Sequence, residues 1–218
     1  MEIYPSIISA DILNLEKTIM ELDGICDGFH IDVMDDHFVP NLTWGPMFVN
    51  EFAKKINEPL HVHLMVDNPL SWIKRIELRE KDAFIFHIEA VKNIEYAKKI
   101  IEEVKQKNWQ VGIAINPKTS LEKIYDIIHL LDVVLLMSVE PGFSGQSFIP
   151  SVVEKVAPLV EFRKEKQLSF LISMDGGIGK DNIVMLKEKG VDNVGVAGAI
   201  FSDKNYQDAL KKLRAIVL

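Results

Sequence analysis

One cysteine, Cys26, stands alone among 218 residues. An intrachain disulfide and a cysteine-built metal site are therefore excluded, and the usage fits a reducing compartment. Basic charge is also scarce. Lys and Arg number 25 against 32 Asp and Glu, a formal net charge of −7. A chain that grips nucleic acid needs a basic face to displace counterions from phosphates, so the balance argues against such a partner. It leaves room for a small phosphate pocket built from backbone N–H groups. No apolar run approaches the ~18 residues that cross a bilayer. Met1 to Ser6 has neither a basic n-region nor an apolar h-region. The expectation is a cytoplasmic protein with no membrane partner. Nor is there a Ser/Gly linker, a charge block or a shift in composition, so residues 1–218 read as one domain.

What is present is a repeating alternation. Hydrophobic residues make up 48% of the chain, enough for a substantial core. Short β-branched and aromatic runs read as strands at 3–9, 28–33, 60–66, 83–88, 110–115, 132–138, 169–174 and 193–197. Amphipathic, charged stretches between them read as helices near 12–23, 46–57, 69–80, 93–107, 119–129, 151–166, 180–189 and 204–216. Pro69 suits a first helical turn, Thr119 or Ser120 can cap the fifth helix, Asp181 falls in the first turn of the seventh, and Gly190 suits its stop. Eight strands, each followed by a helix, point to an α/β fold of one class, the parallel (β/α)8 barrel. The rival is an open doubly wound sheet. It wants a nucleotide fingerprint after its first strand, and Ser9-Ala10-Asp11 supplies none.

A barrel directs attention to the C-terminal ends of its strands. His30 and Asp32 are two apart on the second strand and share a face. Ile31 and Val33 suit the helix layer, which turns His30 and Asp32 inward. The third strand carries His61 and His63, the latter nearer the mouth. The fourth ends Phe86-His87-Ile88-Glu89, and the seventh ends at Asp175. Two buried ionisable residues are costly unless paired or bound to a metal. The pair His30 and Asp32 can be read as a neutral histidine bonded to its neighbour. It can also be read with His63 and Asp175 as an N₂O₂ site for a divalent cation. Gly142-Phe143-Ser144-Gly145, Gly176-Gly177 and Ala197-Gly198 follow strands six, seven and eight. Such turns bring backbone N–H groups close to an anion, or simply make tight connections. Met34, Met65 and Met137 fall at strand ends, as core fillers or as an apolar cap that keeps water off the site. His37, His129 and the three tryptophans need no role beyond surface and packing.

Taken together, HIDVMDDHFVPNLT at 30–43, HLMV at 63–66, FHIEA at 86–90, MSVEPGFSGQSF at 137–148 and MDGGI at 174–178 resemble the ribulose-phosphate 3-epimerase family, over nearly the whole chain. The resemblance implies a metal-dependent epimerase that interconverts D-ribulose 5-phosphate and D-xylulose 5-phosphate through a 2,3-enediolate. It implies one divalent ion per chain, Zn²⁺ first and Fe²⁺, Mn²⁺ or Co²⁺ otherwise, held by His30, Asp32, His63 and Asp175. Asp32 and Asp175 become the acid/base pair. Ser6 looks like the contact to a substrate hydroxyl, and Met34, Met65 and Met137 match the family's methionine cap. Gly142, Phe143, Ser144, Gly145, Gly176, Gly177, Ala197 and Gly198 look like the phosphate end. A phosphosugar is the expected partner, and a homo-oligomer the expected assembly. The alternatives are a ketohexose phosphate such as D-allulose 6-phosphate as substrate, or a phosphosugar-binding barrel without activity. Three positions depart from the family pattern. Asp36 stands where Gly is usual, Ser144 replaces a Gly, and Ala197-Gly198 stands where Gly-Ser is expected, removing a phosphate-contacting hydroxyl. Asp tolerates left-handed backbone, so the turn at Asp36 is expected to survive, while Ser144 is expected to strain its loop.

Overall fold

The structure, a computed structural model, describes residues 1–217; the end of the single-domain reading at Leu218 lies outside them. Eight strands form one sheet: β1 (Glu2–Pro5), β2 (Phe29–Met34), β3 (Leu60–Met65), β4 (Ala83–His87), β5 (Gln110–Ile115), β6 (Val133–Met137), β7 (Leu171–Asp175) and β8 (Asn193–Val196). All pair in parallel in the order β1-β8-β7-β6-β5-β4-β3-β2. A bridge between Ser6 and His30 brings the first strand back to the second and closes the barrel. Helices α1 (Leu15–Leu22), α2 (Pro46–Lys55), α3 (Pro69–Trp72), α4 (Ile94–Lys105), α5 (Val156–Glu165), α6 (Ile183–Lys189), α7 (Gly198–Phe201) and α8 (Tyr206–Val217) lie in the connections.

Strand alternation sorts two apolar sets. Ile31, Val33, Val62, Leu64, Phe84, Phe86, Ile113 and Val134 face outward into the main core under the helices. Ala83, Ile85, Ala114, Val133, Leu135 and Met137 fill the inside of the barrel along β4, β5 and β6. The inward positions of the other strands are largely polar: Ser6, His30, Asp32, His61, His63, Ser173 and Asn193 are all buried. A fully buried His30 beside a buried Asp32 bears out the inward orientation expected from the alternation.

The opposite end of the barrel is held by a repeated device. Asp27, Asp82, Asp132 and Asp192 each stand just before an even-numbered strand. Each carboxylate accepts an N–H from the first or second residue of the preceding odd strand: Ile3 (2.9 Å), Leu60 (3.0 Å), Val111 (2.8 Å) and Ile172 (2.7 Å). Arginines lock three of the four: Arg214 on Asp27, Arg79 on Asp82 and Arg163 on Asp192. A strand that starts a sheet has an orphan donor, and a fixed carboxylate satisfies it.

Several elements differ from the sequence reading. The first strand stops at Pro5, and Ile7–Ser9 turn as a 3₁₀ segment. There Ile7 keeps its place in the core while Ile8 swings to the cleft, which overrides the strand propensity of the pair. The helix expected at 69–80 is α3 alone. Past Ile76 the side chain of Asn50 takes the Glu77 N–H and that of Asp82 takes the Arg79 N–H, so the helical ladder loses its donors. The helix expected at 119–129 is two 3₁₀ segments, Leu121–Lys123 and Ile128–Leu130. The N–H groups of Ile124, Ile127 and Leu130 bond three residues back, to the carbonyls of Leu121, Ile124 and Ile127, the 3₁₀ pattern. Finally, α6 begins at Ile183 after an Asn182 cap position, so Asp181 lies before the helix, while α7 is an element the sequence reading did not contain. Pro69 at a first turn, Ser120 as a cap and Gly190 as a left-handed stop (φ 99°) occur as expected.

Candidate active site at the barrel mouth

Four ligand-type side chains meet inside the upper barrel. The register pairs Asp32 with His63, and closure brings β7 within reach of β2. His30 Nε2 lies 3.2 Å from Asp32 Oδ1, 3.3 Å from His63 Nδ1 and 3.8 Å from Asp175 Oδ2; His63 Nδ1 lies 3.0 Å from Asp32 Oδ1. One ligand atom from each of the four lies within 4.8 Å of all the others. A tetrahedral ion with bonds of about 2.0–2.2 Å sets its ligand atoms about 3.3–3.6 Å apart, so the spacing suits a divalent cation. The chemistry agrees. Two nitrogens and two carboxylates aimed at one point leave more acceptors than donors, and a cation relieves that.

The electrostatics carry the same message. Burial works against charge on His30, yet the carboxylates of Asp32 and Asp175 outweigh it and lift its pKa to about 9. A proton on His30 thus supplies positive charge at the place an ion would. Burial raises Asp32, but His30 and His63 overcome it and hold the carboxyl far below its usual range. Asp175 goes the other way: burial, joined by the charge on Asp32, raises it to about 7 against the pull of His30. Burial depresses His63 to about 4 and His61 to about 3.

Above the cluster opens a cavity of ≈ 270 Å³. Asp32 and Asp175 reach its floor, whereas His30 and His63 are buried beneath it. Every other residue picked from the sequence lines it: Ser6, Met34, Met65, Met137, Gly142, Phe143, Ser144, Gly145, Gly176, Gly177, Ala197 and Gly198. The Ser6 hydroxyl donates to Asp32 Oδ2 at 2.5 Å. Met34 and Met65 pack with Val39, while Met137 belongs to the apolar filling of the barrel. The glycine turns are required by space. A Cβ on Gly177 would sit 2.6 Å from the Phe148 N, and its φ of +64° disfavours any side chain.

Two of the three departures resolve. Asp36 adopts φ 60°, the left-handed conformation expected for the turn, and does not line the cavity. Ser144 is not among the positive-φ residues, so the expected strain is absent; Gly142 and Gly145 take the unusual angles on either side of it.

Sequence reasoning missed three features. Asp181 lines the cavity instead of starting a helix. Gly195 makes room for Asp175, since a Cβ there would fall 2.6 Å from Asp175 Oδ1. His87 and Glu89 continue the cluster outward from His63. The FHIE run held the signal for the last pair, because His87 alternates inward and level with the site.

Fold and site together define a (β/α)8-barrel enzyme with a His/Asp cluster able to hold a metal ion at the barrel mouth. Comparison with known proteins makes this specific. A sequence profile of the ribulose-phosphate 3 epimerase family matches residues 2–201. The ribulose-phosphate 3-epimerase of Helicobacter pylori (strain J99 / ATCC 700824) is 35% identical over 216 residues, covering 99% of this chain and 98% of that one. The Aquifex aeolicus protein of the same name is 37% identical over 215 residues, covering 98% and 96%. The chain belongs to the ribulose-phosphate 3-epimerase family. Among solved structures, KGPDC from Streptococcus mutans superposes with a TM-score of 0.71 over 99% of this chain and 96% of that one. At 13% identity it shares the fold alone. No helix among the described residues is long and apolar enough to cross a membrane.

Proposed function

We propose that this chain, working as one catalytic barrel over residues 1–218, interconverts D-ribulose 5-phosphate and D-xylulose 5-phosphate by epimerisation at C3. The observation that carries the reading is the pair of carboxylates on the cavity floor, Asp32 from β2 and Asp175 from β7. Epimerisation removes a proton from one face of a carbon and returns one to the other, which calls for two groups, one ionised and one protonated. Two carboxylates on different strands that both reach the substrate cavity, with His30 and His63 buried beneath them, meet that need. In one direction Asp32 takes the C3 proton and Asp175 delivers its own to the opposite face of the 2,3-enediolate; in the other direction the roles exchange. Ser6 steadies Asp32 and is positioned for a sugar hydroxyl. Met34, Met65 and Met137 exclude water from the enediolate.

His30, Asp32, His63 and Asp175 would hold one divalent ion. Zn²⁺ is our assignment, and Fe²⁺, Mn²⁺ and Co²⁺ suit the same donor set. Bound there, the ion supplies positive charge that offsets the negative charge developing on the sugar oxygens. The phosphate end is read as the glycine turns at 142–145 and 176–177 with the start of α7 at Ala197 and Gly198. No lysine or arginine lines the cavity among the described residues, so backbone N–H groups would carry the phosphate. Leu13, Leu42 and Met47, in the connections after β1 and β2, are largely exposed, which favours a homo-oligomer. A cytoplasmic setting completes the reading.

The test is a paired turnover assay with Zn²⁺- or Mn²⁺-loaded protein on ribulose 5-phosphate and allulose 6-phosphate, repeated after chelation. Preference for the five-carbon sugar and loss on chelation are expected. Preference for the six-carbon sugar overturns the substrate assignment, and full activity with metal shown absent by elemental analysis overturns the ion's role.

A further inference from the structure

The two histidines of the cluster differ on their far sides. His30 Nδ1 is buried and has no hydrogen-bond partner. His63 Nε2 instead lies 2.8 Å from His87 Nε2, and His87 Nδ1 lies 3.1 Å from Glu89 Oε2. The other oxygen, Glu89 Oε1, accepts the Asn116 N–H at 2.9 Å. Both imidazoles are fully buried, so no bulk water substitutes for these contacts.

We propose that Glu89 and His87 form a positioning relay that fixes the tautomer of His63 and turns its Nδ1 lone pair toward the ion. This inference rests on the metal-site reading above. The direction follows from the donor inventory. An ionised carboxylate only accepts, so His87 Nδ1 must carry hydrogen. With its ring hydrogen on Nδ1, facing Glu89, His87 presents a lone pair at Nε2. A second lone pair 2.8 Å away would repel it, so His63 Nε2 carries hydrogen. His63 Nδ1 is left bare, 3.0 Å from Asp32 Oδ1 and 3.3 Å from His30 Nε2. A lone pair facing a carboxylate oxygen at that distance is unfavourable unless a cation lies between them. The relay therefore selects the ion-binding form of His63, and neither His87 nor Glu89 touches the ion or the sugar. His87 packs against Phe38 and Glu89 is tied to the turn after β5, so the relay is braced at both ends.

Glu89→Gln inverts the relay with almost no change of shape. The amide oxygen must stay on the Asn116 N–H, so the amide NH₂ faces His87 Nδ1. His87 then carries hydrogen on Nε2, His63 accepts it, and His63 Nδ1–H points into the ion site. Zn²⁺ affinity, measured by competition with a chromophoric chelator, should fall about 10- to 100-fold in Glu89→Gln. The melting temperature of the metal-free protein should stay near wild type. His87→Gln keeps an acceptor for His63 and should bind Zn²⁺ more tightly than His87→Leu. Long-range ¹H–¹⁵N spectra of Zn²⁺-loaded wild type should show His87 protonated at Nδ1 and His63 at Nε2, which needs no variant to fold. Unchanged Zn²⁺ affinity in Glu89→Gln, or His87 protonated at Nε2 in loaded wild type, overturns the relay alone. Failure of wild type to bind Zn²⁺ overturns the site reading and the relay with it.

Discussion

Aspartates stand at both ends of this barrel and do opposite things. At the N-terminal end, Asp27, Asp82, Asp132 and Asp192 each meet a strand N–H, and three of them meet an arginine. At the C-terminal end, Asp32 and Asp175 meet imidazoles and each other's field over an open cavity. The first group is tied to main-chain N–H groups and locks the strands in register. The second faces ring nitrogens on one side and an open cavity on the other, where a substrate can reach it. Residue type does not separate them; what each carboxylate faces does.

Three experiments bear on this contrast. The largest effect is expected from Asp175→Asn, which should cut turnover by about a thousandfold or more while leaving the melting temperature at or above wild type, because a buried charge is removed. Near-normal turnover in that variant would break the contrast from the reactive side. Next comes Asp82→Ala. Asp82 is fully buried and serves the Leu60 N–H and Arg79 at once, so its loss should cost roughly 3 kcal/mol in denaturant unfolding. The kcat of the surviving folded protein should change little. A large fall in kcat with stability intact would show that the two ends are not separable. The smallest effect concerns His61, buried midway between them. Burial, with the charges of His30 and His63, depresses it to about 3, so the folded state keeps it neutral while the unfolded chain takes a proton below about 6.5. Stability is thus full above that pH and declines as pH falls from about 6.5 toward 3, by up to about 1.4 kcal/mol per pH unit. Metal-free His61→Leu should lose less melting temperature between pH 7 and pH 5 than wild type, and an equal loss in both proteins would assign the acid sensitivity elsewhere.

Most of the barrel could be read from the chain because parallel strands buried on both faces are distinctive runs. The 110–115 run matches β5 residue for residue, and the other strands except the first shift by two residues or fewer at either end. The first strand and two helices could not be read, for one reason. At Ile7, Glu77 and Leu121 local propensity gives way to contacts made by distant residues: the cleft, Asn50, and Lys155, whose ammonium holds the Thr119 carbonyl just before the 3₁₀ segment. In the site, two-residue spacing placed His30 beside Asp32, and the barrel hypothesis brought in His63 and Asp175. His87 and Glu89 escaped because their role is set by which nitrogen faces which oxygen, and a sequence carries no such direction. The four clamp aspartates escaped because each accepts from a strand 20 to 24 residues earlier.

The two cavity-floor carboxylates differ also in shelter: the Asp32 side chain is 5% exposed and held by Ser6, the Asp175 side chain 13% exposed. That difference gives the two faces of the sugar carbon unequal memory. Under the proposed reaction, hydrogen lifted onto Asp175 trades with water more readily than hydrogen lifted onto Asp32. A heavy isotope started at C3 of one epimer should thus wash out faster than the same label started on the other, although the two sugars share every intermediate.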